Sequence, residues 1–166
     1  MIKININDVE IPAETPDNIW PEIFNKQWEL FYKYRDIEGM PKKFDIDTAE
    51  TQKWIKDFAW RVTEELCEAL EAKNLGSDEY GIVNDEHFIH YLEELTDALH
   101  FMTELTLIAG FEDTILNEPI IPTNEFEIVY YLGLMCNCLK NKPWKQTQML
   151  TDGPKFESDL IAAFSR

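Results

Sequence analysis

Two segments of this chain place carboxylates inside apolar helical text. "EELCEALEA" begins at Glu64 and "EELTDALHF" at Glu93. Each holds an acid, two intervening residues and a second acid: Glu65 with Glu68, and Glu94 with Asp97. Residues three or four apart share one face of a helix. At ~100° per residue, Glu65 projects into the stripe formed by Trp54, Phe58, Val62 and Ala69, and Glu68 falls at its edge. Glu94 projects between Phe101 and Leu105, and Asp97 beside Ile108. Uncompensated charge is costly to bury. Four inward carboxylates therefore predict either raised pKa values or cations bound between them. Hard divalent ions such as Mg²⁺ take oxygen ligands and keep waters and phosphate oxygens in their shell. The competing reading is a solvated face, because acid pairs arise by chance among 32 acidic residues. Glu71 and Glu104 are expected on such a face.

The histidines offer a weaker metal reading. Asp97-x-x-His100 has the spacing of one ligand pair of a di-iron bundle, but such centres need a pair on two helices, and the first acidic segment has no histidine. His100 is expected to support the site, and His87 and His90 to be surface or helix-start residues.

The elements that must position these groups are helical. Pro16 and Asp17 open a helix to about Glu38, with Trp20, Phe24, Trp28 and Phe31 at helical spacing. Gly39 and Pro41 end it. Asp47, with Glu50 three residues on, predicts a capping box and a second helix to about Lys73. Asn84 or Asp85 caps a third, which Gly110 stops after Ala109. This third helix is apolar around much of its girth, which predicts a central position. One helical turn is expected before Pro119. Asn124 and Glu127 predict another capping box, with a helix to about Asn141. A last helix spans Pro154 to Phe164. Ile2, Ile4 and Ile6 alternate with polar residues, as in a short extended N-terminal arm. The sum is an all-α bundle of about five helices in a single domain over 1–166. The motif-bearing core covers about 17–110, and a helical extension covers about 111–166.

Composition excludes several classes. The chain has 166 residues, 45% of them hydrophobic, and a net charge of −17. That charge disfavours nucleic acid and anionic membrane as partners. Three cysteines fit a reducing compartment rather than a disulfide framework. Cys136-x-Cys138 lacks a second pair at zinc spacing. "MIKININDVE" has no apolar h-region, and no 18-residue apolar run occurs, so the expectation is a cytoplasmic protein.

Taken together, "E-L-C-E" at 65–68 and "E-L-T-D" at 94–97, with 25 residues between them, resemble the E-x-x-E…E-x-x-D signature of the all-α NTP pyrophosphatases. That superfamily includes MazG-like enzymes, dimeric dUTPases and phage dCTP/dUTP pyrophosphatases. The run from Glu94 through Asp97 to His100 and Phe101 is similar to the form found in the dUTPase and phage dCTPase branch. "FNKQWELFYKY" is similar to the first helix of these enzymes, where a Q-x-x-L element, here Gln27 to Leu30, lies near the base pocket. The resemblance covers about residues 20–110. The abundance of Ile, Asn and Lys suits a phage protein acting in a host cytoplasm.

The resemblance implies cleavage of a deoxynucleoside triphosphate, dUTP first and dCTP second, to dNMP and pyrophosphate. It implies Mg²⁺, with Mn²⁺ as a substitute, held by Glu65, Glu68, Glu94 and Asp97. It implies that Glu65 or Glu68 orients the attacking water. Arg61 is expected to pair with Glu65 or Glu68, or else to touch a phosphate. Lys142 and Lys145 are candidates for the outer phosphates, Lys73 a weaker one, and Trp28 and Trp144 for the base. A homodimer is expected, because the third helix is too apolar for one short bundle to cover. The family's Trp/Lys-rich segment after the first acidic pair is missing here. Two alternatives stay open: a MazG-like enzyme for another nucleotide, and a non-enzymatic acidic protein that mimics nucleic acid.

Overall fold

In a computed structural model, residues 19–116, 118–139 and 152–166 are described, and they form an all-α bundle. The alternating segment from Ile2 to Ile6 lies outside the described residues. Among the described residues six helices follow one another: α1 (Trp20–Glu38), α2 (Ala49–Gly76), α3 (Asp85–Ala109), α4 (Glu112–Ile115), α5 (Glu125–Asn137) and α6 (Gly153–Phe164). α4 is the single turn expected before Pro119.

Local hydrogen-bonding chemistry explains most of the boundaries. Asn84 caps α3, its side chain accepting from the backbone N–H of His87 at 3.2 Å. Gly110 closes α3 in a left-handed conformation, φ 79°, open to a residue without a Cβ. Asn124 caps α5 by accepting from Glu127 N–H at 3.2 Å. The rest of that expected capping box is corrected: the Glu127 carboxylate accepts from Arg166 Nε at 3.0 Å. α5 also ends earlier than expected, at Asn137.

The start of α2 differs from expectation by one residue. Thr48 is the cap, its hydroxyl accepting from Thr51 N–H at 3.2 Å. Asp45 explains the shift. Its carboxylate accepts from Asp47 N–H at 3.0 Å, so Asp47 is consumed in a turn before the helix begins. The far end of α2 runs past Lys73 to Gly76. There Asn84 N–H donates to the Gly76 carbonyl at 3.1 Å, and a Ser77–Val83 bridge closes the α2–α3 hairpin.

Among the described helices α2 and α3 pack most extensively, α1 crosses α3, and α6 lies on α5. The core lies between these layers: Phe58, Val62 and Leu66 of α2 meet Met102, Leu105 and Ile108 of α3 and Phe31 of α1. Trp20 and Phe24 of α1 pack on Phe164 of α6, with ring centroids 5.1 and 5.9 Å apart. α3 is central only along its C-terminal half, where Met102 to Ile108 are buried. Phe88 and Leu92 in its first half are 40% and 43% exposed. No described helix is long and apolar enough to cross a membrane.

Candidate metal centre and the adjoining cavity

The antiparallel α2–α3 pair brings the two acidic segments together. Glu65, Glu68 and Glu94 each offer a carboxylate oxygen, and these oxygens all lie within 4.8 Å of one another. Asp97 stands outside that trio but near enough for its charge to act on Glu65. The expectation of four buried carboxylates is corrected. Glu65 and Glu94 are half-buried, while Glu68 and Asp97 are exposed. The reason is geometric: the cluster lies toward the turn end of the hairpin, in the half of α3 that stands outside the core.

Glu65 carries the strain of the arrangement. Its carboxyl is pushed up to about 7, first by desolvation, then by its hydrogen bond with Glu94 and by the charges of Glu68, Glu94 and Asp97. Every one of these influences raises it. A proton held on Glu65 relieves the repulsion when no cation is present. His90, on the turn before Glu94, supplies the nearest counter-group: Nε2 lies 2.7 Å from Glu94 Oε1. His90 is exposed, as a surface residue is expected to be, and its contact with Glu94 is an addition that the i to i+4 spacing could have signalled. His100 Nδ1 lies 3.8 Å from Asp97 Oδ1, alongside the trio rather than in it.

A cavity of about 290 Å³ adjoins this centre, with Asp97 and His100 in its wall beside Gln27, Tyr34, Arg61 and Glu104. Gln27 is buried and its Nε2 donates to Glu104 Oε1 at 2.8 Å. Glu104 itself is buried, at 8% exposure, which corrects its assignment to a solvated face. Burial pushes its carboxyl up, the Gln27 bond and the Arg61 charge pull it down, and the Glu38 charge raises it. The missed signal was spacing: Glu104 lies seven residues after Asp97, two turns along the same face.

Other expected binding residues take partners or positions that differ from expectation. Arg61 does not pair with Glu65 or Glu68. It binds both carboxylate oxygens of Glu38, at 3.2 and 2.6 Å, and Asp57 at 2.9 Å, with its guanidinium 4.7 Å from the Phe58 ring centroid. Lys73 faces Glu125 at 3.6 Å and the Tyr91 ring at 5.2 Å. Trp28 lines a different cavity from Gln27, stacked on Tyr32 at 5.2 Å. Lys142, Trp144 and Lys145 lie outside the described residues.

The donor set is hard and anionic, of the kind that could hold a divalent ion. No protein-family model matches the chain, and no curated protein or solved structure matches it either.

Proposed function

We propose that this protein is a Mg²⁺-dependent pyrophosphatase of deoxynucleoside triphosphates, of the all-α NTP pyrophosphatase type, yielding dNMP and pyrophosphate. dUTP is the first substrate expected and dCTP the second; Mn²⁺ replaces Mg²⁺. The observation that carries this reading is the convergence of Glu65, Glu68 and Glu94 within 4.8 Å, one helical turn from Arg61 and Asp97, which line a cavity together with Gln27.

In this reading Glu65, Glu68, Glu94 and Asp97 would together hold the ion. Bound there, Mg²⁺ supplies charge neutralisation for the phosphates and acidification of a coordinated water. Glu65 or Glu68 orients the attacking water and takes its proton. His90 holds Glu94 through the 2.7 Å contact, fixing one carboxylate oxygen. Gln27, anchored by Glu104, presents the rest of its amide toward the cavity where the base would sit. A homodimer belongs to the same reading, since Phe88 and Leu92, one turn apart on α3, are left open to a second copy.

The test is pyrophosphate release from each of the common dNTPs with Mg²⁺, with Mn²⁺ and with EDTA. Release from dUTP or dCTP only with metal, lost in Glu65→Gln, is the expected result. A folded protein that releases none from any dNTP with either metal would end the proposal.

A further inference from the structure

A second cavity is larger than the one near the carboxylates. It has a volume of about 430 Å³ and lies between the C-terminal half of α1, the segment before α2, and the last turn of α3. From Glu94 to Ala109, fifteen residues of α3 separate the two places, about 22 Å at 1.5 Å per residue. The reading of Glu65, Glu68 and Glu94 above does not use it.

Its chemistry is the reverse of the surface around it. In a chain of net charge −17, Arg35, Lys42 and Lys43 line one cavity, and no carboxylate does so among the described residues. Arg35 is largely buried and its guanidinium lies 5.3 Å from the Tyr32 ring centroid. Among the described residues its acidic contact is Asp36, at 3.4 Å and mostly in solvent. Lys42 and Lys43 are exposed. Aromatic rings complete the lining. Trp28 stacks on Tyr32 with an interplanar angle of 20°, and Phe31 meets Phe44 at 5.6 Å.

We propose that this cavity binds a small aromatic anion of mononucleotide size, its ring against Trp28 and Tyr32 and its phosphate on Arg35, Lys42 and Lys43. Concentrated cations recognise the phosphate, and ring faces accept a planar base without regard to its identity. The volume lies within the range of small-molecule sites. A polyanion is disfavoured by the acidity of the whole chain. The site is independent of the pyrophosphatase reading and would stand if that reading fell.

The test uses the full chain in EDTA, so that the carboxylates hold no metal, with dUMP as probe and inorganic phosphate as comparison. Calorimetry should show saturable dUMP binding, with inorganic phosphate weaker. Lys42→Glu combined with Lys43→Glu should weaken dUMP by about tenfold or more, while Lys53→Glu, exposed on α2, should not. In the unaltered protein, dUMP should shield Lys42 and Lys43 from acylation, which tests the site without any substitution. Absence of saturable binding overturns the proposal. So does dUMP binding that ignores the double substitution, inorganic phosphate binding as tightly as dUMP, or a single-stranded oligonucleotide binding more tightly.

Discussion

Gln27 Nε2 donates to Glu104 Oε1 over 2.8 Å, joining α1 to α3 across 77 positions of sequence. The two partners are not equivalent. Glu104 carries the charge and its carboxyl is already pushed up by burial, whereas Gln27 is neutral. Gln27→Leu should therefore cost about 2–3 kcal/mol near pH 8, the penalty for a buried acceptor left without its donor. Glu104→Gln, which keeps the shape and removes the charge, should stay within about 1 kcal/mol. Urea unfolding of both variants checks this, and equal losses would contradict it.

Metal binding should appear as stability. An ion that binds only the folded chain adds about 2.7 kcal/mol at a hundred times its Kd. Mg²⁺ or Mn²⁺ should raise the melting temperature of the unaltered protein and leave Glu65→Gln nearly unmoved. Identical rises in both would remove the trio as the binding site.

The pH response without metal has a definite sign. The folded Glu65 holds its proton up to about 7, against an ordinary value of 4.5. Between these values the folded chain binds more protons than the unfolded chain. Stability should therefore fall as pH rises through this window. Because Glu65 is only half-buried, the loss should be discounted to about 1 kcal/mol. The slope should be shallower in Glu65→Gln and in saturating Mg²⁺, which takes the place of the proton. Urea midpoints at pH 5 and pH 8 measure it, and a slope unchanged by the substitution would refute it.

Gly76 and Gly133 should respond oppositely to alanine. A Cβ on Gly76 would stand 2.2 Å from His87 Cβ, where α2 and α3 meet, whereas one on Gly133 meets nothing within 4 Å. Gly76→Ala should cost about 1–3 kcal/mol through overpacking and should also weaken the Mg²⁺ response by shifting the register of Glu65 against Glu94. Gly133→Ala, inside α5, should gain about 0.5–1 kcal/mol from helix propensity. Thermal melts of the pair decide it.

Arg61 works as a clamp between elements. It ties α2 to the end of α1 through Glu38 and packs over Phe58 and Phe101. Arg61→Ala should cost about 1–2 kcal/mol, the scale of a charge-assisted pair in partial solvent together with lost ring contact. A double-mutant cycle with Glu38→Ala should show coupling between the two. Additive effects would mean the pair contributes nothing.

Local chemistry was legible in the sequence. Asn84, Gly110 and Asn124 mark helix ends through bonds within a few residues, so their types and positions were enough to place α3 and the start of α5. The acid-x-x-acid spacing likewise put Glu65 and Glu68 on one face, and a short hairpin made Glu94 their neighbour. Thr48 shows the limit of such reading: Asp47 is an equally good capping type until the Asp45 turn consumes it.

Tertiary structure alone decided depth and partnership. Glu104 and Glu71 are alike in sequence, but α1 crosses α3 over Glu104 and leaves Glu71 in solvent. Several acids lay within reach of Arg61, and the fold chose Glu38, 23 residues back at the end of another helix. Gln27 and Trp28 are adjacent in the chain, yet they line different cavities. One residue turns a helix by ~100°, and what stands in that direction is set by helices distant in sequence.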